Sequence, residues 1–277
     1  MGKVVKTTAT TNLAPLHAQL PAFMQSAEVQ GLDDLSQYIV PPRLKIVQKM
    51  SGSPFDELFS VGEVVAVPQL MRIAGLDDAK AGEMFFITPL FFFVEWCTLN
   101  PFQMKGSLPF IRERSDDPGS ALASKSRSPA TWQEPCPENA EYSIRHCEML
   151  NFIVLLLGNT DFSGIPVVMS FSKAEHRSGT NFASLIKMRR APIYGGQYAV
   201  ATAERPSAKG NWFGFNIVNP PGDCGVTPFV EDEERFNQLK AIHMELDAAA
   251  RSSKIRVDYD DTESEAVSST IDAATEY

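Results

Sequence analysis

Thirteen consecutive residues, Met84 to Trp96, read Met-Phe-Phe-Ile-Thr-Pro-Leu-Phe-Phe-Phe-Val-Glu-Trp. Aromatic and β-branched side chains at that density favour a strand. Pro89 stands near the middle, and proline has no amide proton to give a sheet ladder, so a flat central strand is excluded. The run predicts one long strand that bends or bulges at Pro89.

Shorter runs of the same kind, bounded by Gly, Pro and Asn, fill in the rest of a sheet. Val40 to Val47, with Pro41 and Pro42, is an extended entry segment, because each proline pushes its predecessor toward extended geometry. Val61 to Val67 is a strand. Asn151 to Leu157 and Pro166 to Phe171 are apolar throughout, which implies burial on both faces or barrel curvature. A helix is signalled from Ser178 or Thr180 to Arg190, with Phe182, Leu185 and Ile186 at helical spacing, cations in the last turn and Pro192 beyond. Gln197 to Thr202 and Asn211 to Val218 complete the sheet.

The order is long strand, strand, strand, helix, strand, strand. That is the order of an OB-fold, a five-stranded barrel whose grooved face takes oligonucleotides. The fold class expected is therefore mainly β with α. Residues 97–150 are too long for a hairpin and are expected as an insertion, mobile over the Ser-rich stretch Ser115 to Ser128. Glu231 to Arg256 reads as an amphipathic helix, with Phe236, Leu239, Ile242 or His243, and Leu246 on one stripe and acids at its start. The division expected is a flexible arm at 1–37, an OB-like nucleic-acid-binding domain at 38–222, a C-terminal helical segment at 223–257 and a disordered acidic tail at 258–277.

Charge is distributed unevenly over this plan. Residues 43–222 carry 18 cations and 17 acids, whereas residues 223–277 carry 5 and 14, so the net charge of −9 comes from the C-terminal fifth. The last twenty residues hold seven acids and no base. By contrast, Phe171 to Ile217 has seven Lys or Arg against Glu175 and Glu204, interleaved with aromatic residues. A basic, aromatic surface tethered to an anionic tail suits a polyanion with flat faces, meaning single-stranded nucleic acid.

Phosphates are accordingly expected along Lys173, Arg177, Lys187, Arg189, Arg190 and Lys209, with Lys45 and Lys49 as candidates to extend the same surface. Bases would stack on Trp96, Tyr194, Tyr198 and Trp212. The tail, through Asp258, Asp260, Asp261, Glu263, Glu265, Glu276 and Tyr277, is expected to bind partner proteins. Strand alternation makes roughly half of any set of strand aromatics core, so each ring has a competing reading as core.

The same text argues against several other chemistries. It has no Walker A loop, GxGxxG, GxSxG, HExxH or CxxC pair, and it calls for no cofactor. Cys97, Cys136, His146 and Cys147 are weak candidates for zinc, because their spacing fits no standard knuckle and buried free thiols account for them better. Dispersed cysteines and the lack of a signal peptide lead to a cytoplasmic expectation, and no apolar run approaches the ~20 residues of a spanning helix.

The ordered text Pro41-Pro42-Arg43-Leu44-Lys45-Ile46-Val47-Gln48, the aromatic strand ending at Trp96, Val167-Val168-Met169-Ser170-Phe171-Ser172-Lys173 before the helix, Pro192-Ile193-Tyr194-Gly195 with Tyr198 after it, and the acidic tail ending in an aromatic together resemble bacteriophage single-stranded DNA-binding proteins. The resemblance covers about residues 38–218 plus the tail. It implies an OB-fold core that coats single strands during viral replication or recombination, without catalysis, in the host cytoplasm, and an acidic C-terminus that recruits replication or recombination proteins. The long insertion and the dispersed cysteines depart from it. Two rivals are a metal-dependent nucleic-acid-processing enzyme and a virion or assembly protein whose tail mimics nucleic acid; metal content and an oligonucleotide shift at low salt separate the three.

Overall fold

A computed structural model of the chain describes residues 41–49, 51–67, 69–74, 84–101, 104, 108–128, 130–158, 164–206, 210–222, 224–252 and 255–259. The expected N-terminal arm lies outside the described residues. In chain order the elements are β1 Arg43–Ile46, α1 Phe55–Leu58, β2 Val64–Val67, β3 Met71–Ala74, β4 Phe85–Leu99, β5 Ile111–Ser115, α2 Ala121–Arg127, β6 Gln133–Pro135, β7 Ser143–Leu157, β8 Pro166–Phe171, α3 His176–Met188, β9 Tyr198–Arg205, β10 Trp212–Val218 and α4 Glu233–Arg251. The fold is mainly β with helices. Among the described residues ten strands form one sheet in the order β10-β9-β4-β7-β8-β1-β2-β3, with β5 added to β4 and β6 to β7.

The proline in β4 has the predicted effect. β7 pairs with β4 along its length, but the register passes from Pro89↔Val154 to Phe91↔Ile153, leaving Leu90 without a partner. On its other edge β4 pairs with β9 over Phe85 to Ile87 and with β5 from Trp96 to Leu99, so Pro89 falls in the gap between two partners. The bulge shifts the alternation by one residue. Phe85 and Ile87 point into the same core as Phe92 and Val94, while Leu90, Phe91 and Phe93 point to the opposite face.

Both faces are buried. On one, α3 lays Phe182 onto Phe152 and Tyr198, at ring-centroid distances of 4.6 and 5.1 Å. Helix and sheet approach so closely that a Cβ on Gly179 would stand 2.6 Å from Phe171 Cβ. On the other, α4 brings Leu239 onto Leu90, Ile153 and Leu155, and the following segment adds Val257 and Tyr259. α4 also satisfies the bulge, since His243 Nδ1 lies 2.8 Å from Leu90 O. Each buried large apolar side chain contributes about 1.5–3 kcal/mol.

The sheet is curled. β10 and β1 lie five places apart along the path, yet Gln48, two residues past β1, bonds to the backbone of Phe213 in β10. The result is an open half-barrel.

Three sequence expectations change. Residues 97–150 are not an insertion from end to end: β4 runs on to Leu99 and β7 begins at Ser143, pairing Cys97 with Cys147 and Leu99 with Arg145. The two strands form one long arm, with β5, α2 and β6 built on it. The Ser-rich stretch is ordered, because Ser120 caps α2 by accepting from Ala123 N at 3.1 Å, and serine is as much a cap residue as a loop residue. At the C-terminus Tyr259, expected as part of the tail, is packed into the fold with Val257, and the expected tail from Asp260 lies outside the described residues. Among the described residues no helix is long and apolar enough to cross a membrane.

Candidate functional site

The end of α3 carries three of the predicted phosphate contacts, and they divide into two kinds. Lys187 and Arg190 are exposed. Arg190 has φ +52° just past the helix C-cap, the left-handed position that usually favours glycine. Arg189 is committed to the protein. Its guanidinium lies 3.9 Å over the Tyr198 ring and 5.2 Å from that of Phe229, and it donates to Pro228 O and, at 2.6 Å, to Asn219 Oδ1. Burial lowers the Arg189 pKa and raises that of Tyr198, the two groups partly compensating each other by attraction.

The four predicted stacking rings fare differently. Tyr198 is 1 % exposed and Trp96 4 %, so both belong to the core and neither offers a face to a base. Trp96 points toward α2, packing with Leu122 and Ala123 beneath the Arg127 guanidinium at 5.1 Å. Tyr194 is half-buried, held by Phe236 at 5.2 Å and His243 at 5.0 Å. Trp212 is half-buried at the start of β10 with Arg205 at 5.4 Å. Arg177 is exposed on α3, and Lys209 and the tail from Asp260 lie outside the described residues. Arg177 and Lys187 therefore lie on α3, Arg190 just past its end and Trp212 on the edge strand β10, while Trp96, Arg189 and Tyr198 are withdrawn from contact.

That edge is sealed by side chains. The Gln48 amide donates to Phe213 O at 2.7 Å and accepts from Phe213 N at 2.9 Å. Glu175 Oε2 accepts from Phe215 N at 3.3 Å, and Arg205 donates to Phe215 O at 2.8 Å. Glu175 Oε1 is buried without a hydrogen-bond partner. Burial pushes the Glu175 carboxyl up to about 7, against the pull of Arg205 and the Phe215 N–H.

The metal candidates do not converge. Cys97 and Cys147 face each other across the arm, both buried, with desolvation pushing their thiols up to about 12 and about 11. Cys136 is elsewhere, beside Glu138 at 3.1 Å. His146 spans Thr98 at 2.9 Å and Glu134 at 3.3 Å. Among the described residues no three His, Cys, Asp or Glu side chains are grouped so as to hold a metal ion.

Sequence reasoning missed two exposed rings with cations beside them. Phe110 is 38 % exposed with Lys173 Nζ 5.8 Å from its centroid, and Trp132 is 42 % exposed with the Arg145 guanidinium at 5.9 Å. Both rings stand one residue before a strand, in the segment read as an insertion, and the usable signal was their placement beside Pro109 and Gln133 in otherwise polar text.

The tail leaves from a built anchor. Tyr259 is 4 % exposed, its hydroxyl 3.0 Å from Glu95 Oε2 and 2.9 Å from Asn151 Oδ1, with Arg114 and Arg43 at 5.3 and 5.8 Å from its ring. Desolvation raises the Glu95 pKa, opposed by Arg114 at 3.6 Å and by the hydrogen bonds from Tyr259 and Asn151. No protein-family model, no curated protein and no solved structure matches the chain.

Proposed function

We propose that this chain is a non-catalytic single-stranded DNA-binding protein of OB-like architecture. The observation that carries the reading is the connectivity of the curled sheet. β4, β7 and β8 form an antiparallel meander, α3 crosses over, β9 returns to the open edge of β4, and β10 pairs with β9. This is the strand and helix order of the oligonucleotide-binding barrel. Its last seam is filled here by β1, parallel to β8, and by the Gln48 bridge to Phe213.

Exposed Arg177, Lys187 and Arg190, with half-buried Trp212, supply phosphate and ring contacts. Such contacts read the backbone and stack on any base, so sequence preference is weak. The acidic tail beyond Tyr259 recruits replication or recombination proteins, in the cytoplasm of an infected host. Titration with oligo-dT, oligo-U and a duplex of equal length tests the reading. Oligo-dT should bind more tightly than duplex, with log K falling against log salt by about 0.7 per phosphate contacted. Equal, salt-insensitive affinities for all three would overturn it.

A further inference from the structure

We propose that the β4–β7 arm carries a second single-strand platform, a row of ring, cation, cation and ring formed by Phe110, Lys173, Arg145 and Trp132. The proposal rests on the single-strand reading and locates an additional contact for it on the arm.

The arm places these groups because β7 continues to Ser143. Arg145 stands exposed on β7, paired with Leu99 on one side and Gln133 on the other, and Trp132 precedes Gln133. Lys173 follows β8 with φ +51°, a left-handed turn unusual for a side chain of this kind. That turn leaves its amine 5.8 Å from the centroid of Phe110, the residue before β5. Each exposed ring thus has a cation beside it, and each cation has the other as a neighbour.

Two features point to a polyanion with flat faces. The first is charge: the exposed cations Lys173 and Arg145 stand near enough to repel each other. Two like charges held together gain from an anion between them. Among the described residues neither makes an ion pair with a carboxylate, whereas Arg112, Arg114, Lys125 and Arg127 of the same arm all do. The second feature is exposure: rings of 38 % and 42 % exposure retain open surface on which a base can stack. A strand lying along the row meets a ring, then two phosphate partners, then a ring.

The test uses the full chain and oligo-dT. Trp132→Ala should weaken binding about tenfold, and the double variant Arg145→Ala with Lys173→Ala should flatten the log K against log salt slope by about 1.4, at roughly 0.7 for each phosphate no longer neutralised. Trp132→Phe keeps a stacking ring; it should bind near wild-type strength but lose part of the tryptophan quenching that DNA causes. Failure of the wild-type protein to bind oligo-dT would overturn the single-strand reading itself. Wild-type binding with unchanged affinity, slope and quenching in these variants would overturn the arm platform alone and leave the contacts at α3 and β10 standing.

Discussion

Gln48 serves Phe213 as a strand neighbour would: one side-chain amide gives a hydrogen bond of 2.7 Å to its carbonyl and takes one of 2.9 Å from its N–H. The two residues are 165 positions apart, and through them the segment just past β1 is tied to β10. A side chain makes this link in place of a backbone pair, Gln48 lying two residues past the end of β1 at Ile46.

Gln48→Ala should therefore open the seam. Two part-buried backbone groups lose their partners, at about 1–3 kcal/mol for such unsatisfied groups. At roughly 2–4 °C per kcal/mol for a chain of this size, Tm should fall by about 2–12 °C. Thermal melting checks it, with an unchanged Tm counting against the Gln48 bridge as a stabilising link.

Glu175 gives the stability of the chain a pH dependence of opposite sign to that of a typical salt-bridged acid. Its pKa rises from the ordinary 4.5 to about 7 in the fold. Between those values the unfolded chain is ionised while the folded one keeps its proton. The contribution is thus complete below about pH 4.5 and lost as pH climbs through about 7. Glu175→Gln keeps an acceptor for the Phe215 N–H and removes the charge. It should match wild type at pH 5 and melt higher at pH 8, and a variant that melts lower at pH 8 would refute the burial argument.

Adjacent arginines at the end of α3 should separate folding from binding. Arg189→Ala removes a guanidinium stacked on Tyr198 and bonded to Pro228 and Asn219, so Tm should drop. Arg190→Gly relieves a left-handed backbone, with a gain of about 1 kcal/mol for glycine at such a helix end. It also removes one exposed charge, so Tm should hold or rise while the salt slope flattens by about 0.7. Loss of stability in Arg190→Gly, or a flatter slope only in Arg189→Ala, would reverse the assignment.

The sequence makes these elements unequally legible. Pro89 announces its own bend, because a missing N–H is a local property. The helix now seen at His176–Met188 could be read from its apolar triple and the proline beyond it. Which ring of a strand faces inward is not local. The bulge at Leu90 resets the alternation before Trp96, and Tyr198 lies inside because α3 brings Phe182 over it. Gln48 is invisible for the same reason, since its partner is set by the curl of the whole sheet. Ser115 to Ser128 misled because serine suits loops and helix caps alike, and only the position of Ser120 before α2 decides between them.

The C-terminus offers the sharpest separation of structure from interaction, because anchor and tail are contiguous. Tyr259 fills the second core and keeps Glu95 and Asn151 hydrogen-bonded, whereas the six acids beyond it begin at Asp260. A chain ending at Asp260 loses five of those acids and keeps the anchor, so its Tm should stay at the wild-type value. Its affinity for oligo-dT should rise several-fold at about 50 mM salt, since covalent attachment gives the acids a millimolar effective concentration at the cationic surface. The gain should fade as salt screens it. A chain ending at Arg256 loses Val257 and Tyr259 as well. Removing a buried aromatic costs about 3–5 kcal/mol, and Glu95 is left in place without the Tyr259 hydroxyl, so this chain should melt well below the first. Equal melting of the two chains would show that Tyr259 is not an anchor. Equal oligo-dT affinity for the full chain and the chain ending at Asp260 would leave the acids a role in partner recruitment alone.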